Sequence, residues 1–365
     1  MRLIFAAILL ATPAAAALPD GMRVVNVHEH IQSTREAGRL LAAMDATGVD
    51  TTLLMGSSWF TVTLNQQDGF TRVDWNNQQI LWIAERHPGR FQAWPTIDPL
   101  DPDKLKRLEE YVAKGATGLK LYLGHGLREQ RPTEWGYFFH KVAIDDVDML
   151  PVYAYCEQIG LPIMLHVNPG PTAPGFAEEF ISVLQLFPDL KVIAPHFILS
   201  SIKSSRLRAF LDAFPNVYSD VSFGHDDFLV PGLKRISKNP RKYRKIIRDY
   251  PGRFMFGTDV VVTEAPFKDA DWIAVRMRAY LDMLRKAEYE TPLVPGKKLR
   301  GLALPPDLLA GVLHANFDEL MRRRPHGTKT RPVRWDGMGI PWIGRELGEM
   351  TDPDLWKKKK KGKHR

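Results

Sequence analysis

The feature of this sequence that most constrains its fold is a regular alternation between short apolar runs and amphipathic helical patterns. Eight runs rich in apolar residues are each followed by a stretch whose apolar residues recur every three or four positions. The runs lie at 23–28, 50–55, 90–95, 118–122, 162–166, 191–196, 216–221 and 253–257, and the helical stretches at 34–47, 74–87, 101–114, 145–159, 177–187, 204–214, 240–250 and 269–288. Eight strand–helix units in about 260 residues predict an α/β fold, the (β/α)8 TIM barrel.

An open, doubly wound sheet is the main alternative for such an alternation. That fold usually places a glycine-rich phosphate-binding turn after its first strand, and the sequence has none there. One further helix is predicted at 305–321. We therefore expect a barrel domain at 18–325 and an irregular, basic C-terminal extension at 326–365.

The first 17 residues are typical of a cleavable export signal. Arg2 precedes the apolar run 3–11, and the small residues at 14–17 offer a cleavage site. A buried helix is the other interpretation of this run, which is too short to span a bilayer. The sequence thus predicts a periplasmic or secreted protein with no membrane span. Its only cysteine, Cys156, rules out an internal disulfide.

The formal net charge of +8 does not indicate a nucleic-acid-binding fold. Seven positive charges lie in the tail at 357–365 and another is Arg2, so the rest of the chain is neutral. Like-charge runs of this kind are usually solvated ends, although they can contact phosphate or anionic lipid. We expect a small-molecule substrate and no nucleic-acid partner, and a homo-oligomer is compatible with the sequence.

Residues that can bind a metal stand at the carboxyl ends of the predicted strands, which meet at one mouth in a barrel. His28 and His30 end the first run, and residues two apart on a strand face the same side while Glu29 faces the other. The later runs contribute Lys120, His166, His196 and Asp259. Nitrogen and oxygen donors without a thiolate predict a divalent metal site, with Zn expected and Mn, Fe or Ni as alternatives.

These motifs resemble those of the amidohydrolase superfamily, in particular its amidohydrolase-related branch of metal-dependent TIM-barrel hydrolases and decarboxylases. The matching segments are VHEHI at 27–31, GLKLY at 118–122, LPIMLH at 161–166, VIAPH at 192–196 and FMFGTD at 254–259, within a similarity over about 22–320. The resemblance implies a metal ion held by four residues, His28, His30, His166 and Asp259.

The resemblance also implies the catalytic roles. His196 would lie beside the bound water or the substrate, where it can help to polarise a carbonyl. A divalent ion lowers the pKa of a bound water to about 7, and Asp259 can take that proton and pass it to a leaving group.

Lys120 leaves the number of ions open. In two-metal relatives a lysine on the fourth strand is carboxylated and bridges two ions, and Lys120 and His196 would then join the ligands. We favour one ion, because the surrounding sequence resembles the one-metal branch, although HEH at 28–30 also resembles the phosphotriesterase-like lactonases. An unmodified Lys120 would instead bind substrate, together with Tyr122 and His225.

Three functions follow from this interpretation. The first is an exported metal-dependent hydrolase that cleaves a C–N or C–O bond of a small amide, ester or lactone. The second is a metal-dependent non-oxidative decarboxylase, a lyase with the same metal ligands. The third is a barrel that binds a ligand without catalysis, and the complete ligand set argues against it.

Overall fold

The computed structural model describes residues 22–57, 70–123, 142–167, 176–198, 204–224 and 226–323. The predicted export signal, the extension at 326–365 and His225 lie outside these described residues. The division into domains therefore stays a prediction at both ends.

The strands follow the predicted order along the chain. They are β1 (Val25–Ile31), β2 (Thr51–Met55), β3 (Phe91–Trp94), β4 (Leu119–Leu121), β5 (Ile163–Leu165), β6 (Val192–Ile193), β7 (Val217–Asp220), β8 (Phe254–Met255), β9 (Val261–Val262), β10 (Glu288–Tyr289) and β11 (Leu299–Arg300). Parallel pairing gives the orders β3-β2-β1-β9 and β4-β5-β6-β7-β8, while β10 and β11 form an antiparallel pair.

Two contacts join the two parallel sheets into a ring. An isolated parallel bridge between Thr96 and Lys120 connects the end of β3 to β4. On the other side, the backbone N–H of Val27 in β1 donates to the carbonyl of Phe256 after β8, at 2.9 Å. The first eight strands thus enclose a (β/α)8 barrel, which confirms the predicted fold class.

The helices between the strands cover the outside of the barrel. They are α1 (Ala37–Thr47), α2 (Val73–Arg86), α3 (Lys104–Ala113), α4 (Leu150–Ile159), α5 (Phe176–Leu186), α6 (Ser204–Ala213), α7 (Asp226–Lys238), α8 (Pro240–Asp249), α9 (Ala270–Arg285), α10 (Pro306–Ala310) and α11 (Asn316–Arg322), with 3-10 turns at Thr34–Glu36 and Val147–Met149 and a π-helical turn at Gly311–Ala315. Within the described ranges no helix is of a length and apolarity that would cross a membrane.

Side chains alternate between the inside of the barrel and the helical layer. The inside holds one apolar cluster, formed by Val25, Val27, Leu53, Met55, Trp94, Met164, Ile193, Tyr218 and Met255, which Phe317 and Leu320 of α11 join. Intervening residues such as Leu54 and Leu165 belong to the larger cluster that packs against the helices. Positions two residues after the inner apolar side chains therefore face the barrel mouth.

Four elements, α7, β9, β10 and β11, were not predicted from the sequence. Pro231 lies inside α7 and is a helix-breaking signal, which explains why that helix was missed. β9 and the β10–β11 pair have two residues per strand, too few to show a period. β9 matters for the site, because it pairs with His30 and Ile31 of β1.

A candidate metal centre at the barrel mouth

A β-bulge in β1 turns the side chains of His28 and His30 into the barrel. The register between β1 and β2 shifts between Asn26 and Glu29, so Val27 faces inward below the bulge and His28 faces inward above it. Glu29 points away, as predicted, and accepts hydrogen bonds from Asn26 and Thr258. Burial raises the pKa of Glu29 well above its ordinary value, so this carboxyl stays neutral outside the centre.

The ring of His28 has a defined tautomer. Its Nδ1 lies 2.7 Å from Oδ2 of Asp220, a fully buried residue at the end of β7. Burial would raise the pKa of Asp220, but the hydrogen bond and charge of His28 outweigh it and lower that pKa to about 2. The ionised Asp220 can only accept, so Nδ1 of His28 carries the proton. Burial also lowers the pKa of His28 to about 4, which leaves Nε2 as a lone pair at neutral pH.

His30 has the same tautomer for the same kind of reason. Its Nδ1 lies 2.6 Å from Oγ of Ser57, whose hydroxyl donates to the carbonyl of Met55 at 3.2 Å. Ser57 therefore accepts from His30, and Nε2 of His30 is left as a lone pair. Burial lowers the pKa of His30, so the ring is neutral.

His196 completes the pattern. Its Nδ1 lies 2.7 Å from Oγ of Ser222, and that hydroxyl donates to Oδ1 of Asp220 at 2.7 Å. Ser222 therefore accepts from Nδ1 of His196, and Nε2 of the ring faces Asp259. Hydroxyl and carboxylate partners of this kind fix the orientation of metal-binding histidines in proteins.

The three Nε2 atoms converge on the carboxylate of Asp259. The distance to Oδ1 is 3.2 Å from His28 and 3.2 Å from His30, and Oδ2 lies 3.5 Å from His196. Burial would raise the pKa of Asp259, but the neighbouring histidines outweigh it and hold that pKa below its ordinary value. Three imidazole nitrogens thus surround an ionised carboxylate, an arrangement that a divalent cation bound between them would stabilise.

The donor set fits a divalent metal ion. Ligand atoms about 2.05 Å from a tetrahedral ion lie about 3.3 Å apart, close to the separations of Asp259 from His28 and His30. Imidazole nitrogens with one carboxylate suit Zn and other first-row ions. The residues His28, His30 and Asp259 form one group with metal-binding spacing, and His28, His196 and Asp220 form another. Asp220 already accepts a hydrogen bond from Nδ1 of His28, so we interpret it as the residue that orients His28. The first group is then the candidate ligand set for the ion.

Strained backbone places two of these side chains. Asp259 has a φ of 51°, and its N–H donates to the carbonyl of His28 at 2.7 Å. His196 lies three residues beyond the end of β6, where it and the next two residues all have φ between 55° and 61°. The N–H of His196 donates to Oδ1 of Asp220, which stabilises this turn. Left-handed residues other than glycine are rare and concentrate at functional sites.

His166 follows β5 directly and lies at the same mouth. Its ring packs edge-on against His196, with 5.0 Å between the ring centroids. Within the described part of the chain, His166 belongs to neither group with metal-binding spacing. Its role as a metal ligand stays a prediction.

Lys120 lies inside the centre rather than at its rim. It is fully buried, with Nζ 3.1 Å from Nε2 of His28 and 5.0 Å from the ring centre of Tyr122. Burial lowers the pKa of Lys120 to about 8, so a substantial neutral fraction exists just above neutral pH. A neutral amine is the form that reacts with carbon dioxide, and the ammonium is the form that binds a carboxylate. Both predicted roles of Lys120 remain open.

Asp220 is the residue that sequence reasoning missed. It lies within the predicted strand 216–221, two residues after Tyr218, which faces inward. That period-two register was the available signal, and it places the carboxylate in the mouth beside His28 and His196. Ser57 carries the same signal, two residues after the inward-facing Met55, and Ser222 follows Asp220 by the same interval.

A family model described as amidohydrolase matches residues 25–317, which is most of the chain. The chain belongs to the amidohydrolase family. This confirms the resemblance found in the motifs, and the superfamily is metal-dependent, in agreement with the donor set at the mouth. No curated protein sequence matches this amidohydrolase significantly.

Two solved structures with TM-scores above 0.5 support the fold. A TIM-barrel protein from Bordetella bronchiseptica aligns with a TM-score of 0.52 at 15% identity, over 82% of this chain and 98% of that one. A putative 2-pyrone-4,6-dicarboxylic acid hydrolase from Pseudomonas putida gives 0.52 at 14% identity, over 82% and 97%. The 5-carboxyvanillate decarboxylase from Sphingomonas paucimobilis gives 0.49 at 16% identity, over 82% and 99%. At these identities the similarity concerns the fold alone.

Proposed function

We propose that this amidohydrolase is an exported, metal-dependent hydrolase that cleaves a C–N or C–O bond of a small amide, ester or lactone. The observation that supports it most directly is the convergence of the Nε2 atoms of His28, His30 and His196 on the ionised carboxylate of Asp259. His28, His30 and Asp259 would hold one divalent ion, with Zn as the first candidate, and His166 is the fourth ligand that we propose. When bound, the ion supplies a water acidified to a pKa of about 7 and polarises a carbonyl.

The residues around the ion are ready to accept protons. Asp259 is ionised and 13% exposed on its side chain, so it can contact a water that attacks the substrate. Nε2 of His196 lies 3.5 Å from Oδ2 of Asp259 and can take the same proton or return it to the leaving group. With Nδ1 held by Ser222, His196 presents Nε2 to the mouth, where a proton on Nε2 would let it polarise a carbonyl. Tyr122, whose ring lies 6.4 Å from that of His30, is a proposed substrate contact.

This protonation pattern favours hydrolysis over decarboxylation. A hydrolase needs a base for the water, and the centre offers the ionised carboxylate of Asp259. Decarboxylation leaves a carbanion that needs a proton donor. The ammonium of Lys120 can supply that proton and can bind a substrate carboxylate, so Lys120 is the observation that supports the second candidate, a metal-dependent decarboxylase.

A direct comparison of the two reactions tests the proposal. The metal-free protein is assayed before and after addition of one equivalent of Zn or Mn. One assay measures hydrolysis of a panel of lactones, esters and amides, and a parallel assay measures carbon dioxide release from aromatic carboxylic acids. We expect metal-dependent hydrolysis and no carbon dioxide. Release of carbon dioxide without hydrolysis would assign the chain to the second candidate, and equal rates with and without metal would contradict both.

A matched pair of variants separates the centre from the surface. Asp259→Asn removes the carboxylate on which the histidines converge, and we expect it to abolish turnover while the fold is retained. Asp249→Asn, the same change in an exposed residue at the end of α8, serves as the control. Full turnover by the Asp259→Asn protein would overturn the mechanism.

A further inference from the structure

Two adjacent helices on the outside of the barrel carry a concentration of positive charge. We define the basic face as Lys234, Arg235 and Lys238 of α7 together with Arg241, Lys242, Arg244, Lys245 and Arg248 of α8. The segment 234–249 contains these eight basic residues and one acidic residue, Asp249. On α8, the positions from 241 to 248 that are not buried are all Lys or Arg, and the buried ones are Tyr243, Ile246 and Ile247.

This arrangement costs stability within the helices. Arg241 and Lys245 are four residues apart, as are Arg244 and Arg248, so like charges lie next to each other on the helix surface. Arg241 also lies in the first turn of α8, where the helix dipole disfavours cations and no acidic residue is present. Helix α3, by contrast, mixes its lysines and arginine with Glu109 and Glu110. Packing on the barrel does not require the uniform charge of α8.

The rest of the chain compensates little of this charge. Asp249 accepts from Lys245 at 2.9 Å and is shared with Arg208 at 2.7 Å. Among the residues that the structure describes, Lys234, Lys238 and Arg241 are paired with no acidic side chain. Arg300 of β11 adds a further cation, because its guanidinium donates to the backbone carbonyl of Lys238 at 2.7 Å. An anionic partner would offset the repulsion that the helices carry.

An exposed aromatic side chain lies beside the basic face. Phe228 of α7 is 59% exposed and precedes Arg235 by two helical turns, so both lie on the same side of the helix. Lysine and arginine on a helical surface, next to a protruding aromatic ring, are typical of segments that rest on a membrane of anionic lipids.

We propose that the basic face docks this enzyme on an anionic phospholipid surface. The charges are spread over two successive helices, a distribution that suits an extended plane of headgroups better than a single small anion. Phe228 supplies an apolar contact that can insert into a lipid interface, whereas the phosphate backbone of a nucleic acid offers no apolar surface for it. Export, proposed above, would likewise bring the chain to a lipid surface rather than to nucleic acid.

Vesicle binding by the full-length protein tests this inference. Sedimentation with vesicles of phosphatidylcholine and phosphatidylglycerol, compared with pure phosphatidylcholine, gives the partition coefficient as a function of salt. The variant Lys234→Gln, Lys238→Gln, Arg241→Gln should bind the anionic vesicles roughly 100-fold less tightly, since each such residue contributes a factor of about five near an anionic surface. Wild-type binding should also weaken steeply with added salt.

Two control proteins make the result specific. Arg86, Lys106 and Lys114 are exposed basic residues outside the basic face, and their joint change to Gln removes the same charge. We expect that control to bind anionic vesicles as the wild type does. In a chain that lacks residues 357–365, vesicle binding should still depend on Lys234, Lys238 and Arg241. The proposal would be overturned if both triple variants weakened binding equally, or if removal of the tail at 357–365 by itself abolished all binding. It would also be overturned by binding that does not depend on salt, or by a stronger preference for duplex DNA that Arg241→Gln reduces. The salt series uses the unmodified protein, so it tests whether vesicle binding is electrostatic even if a variant does not fold.

Discussion

The account of the centre makes its sharpest prediction for Asp220→Asn. Oδ1 of Asp220 accepts from the N–H of His196, the N–H of Ser222 and the hydroxyl of Ser222, at 2.9, 3.0 and 2.7 Å. These three donors keep the oxygen of an asparagine amide on that side. The amide NH2 must then face Nδ1 of His28, where Oδ2 of Asp220 now accepts at 2.7 Å.

Two donors cannot face each other, so the variant forces His28 into the other tautomer. Its proton moves to Nε2, the atom that points at Asp259 and would bind the ion. Loss of such a supporting partner typically weakens metal binding by 10- to 100-fold, about 1.4 to 2.8 kcal/mol. Global stability should fall by only roughly 1.5–3 kcal/mol, because three of the four hydrogen bonds are unchanged and the fourth, to Nδ1 of His28, is reversed in direction.

Competition with a chromophoric chelator at pH 7.5 measures the zinc affinity, and urea unfolding of the metal-free protein measures the stability. Asp249→Asn is the matched control and should bind zinc as the wild type does. Nitrogen NMR of the histidine side chains reports the tautomer of His28 directly. A zinc affinity for Asp220→Asn within two-fold of the wild type, in a folded protein, would refute the assignment of Asp220 as the residue that orients His28.

The remaining predictions concern the ion count and the stability of the barrel. Lys120→Met should keep one ion per chain and bind it at least as tightly as the wild type, because the ammonium 3.1 Å from Nε2 of His28 is removed. Elemental analysis measures the number of ions, and a fall from two ions to one would instead show that a carboxylated Lys120 bridges two ions. Gly118→Ala should lower the free energy of unfolding by about 1–3 kcal/mol, because a Cβ there would lie 2.3 Å from the buried ring of Trp94; an unchanged urea midpoint would contradict that packing. Burial raises the pKa of Cys156, so above its ordinary pKa of 9.0 the unfolded thiol ionises while the folded one stays protonated, and folding loses stability as the pH rises. The stability difference between wild type and Cys156→Ala should therefore shrink by about 1.4 kcal/mol per pH unit above pH 9, and a constant difference would count against it.

The barrel could be predicted from the sequence because its strands and helices carry strong, regular apolar periods. The run at 50–55 begins one residue before β2 and ends with it, and the run at 216–221 extends one residue beyond β7 at each end. Short or interrupted elements could not be predicted in this way, as α7 with its internal Pro231 shows. There tertiary packing outweighs the local signal.

The candidate centre was predicted to the level of residue types and strand ends. His28, His30 and Asp259 could be proposed as ligands because His28 and His30 lie in the carboxyl-terminal part of β1 and Asp259 follows β8. What the sequence does not show is geometry set by irregular backbone: the bulge in β1 and the left-handed turn at His196. These two features decide which ring nitrogen faces the carboxylate, and they depend on contacts between residues far apart in the chain.

Diffraction from crystals grown with zinc, recorded on both sides of the zinc absorption edge, tests the central claim most directly. We predict an anomalous peak at the barrel mouth, about 2.0–2.2 Å from Nε2 of His28, Nε2 of His30 and a carboxylate oxygen of Asp259. The account would be contradicted if a zinc-loaded crystal showed its anomalous signal elsewhere and Nε2 of His28 still hydrogen-bonded to Nζ of Lys120.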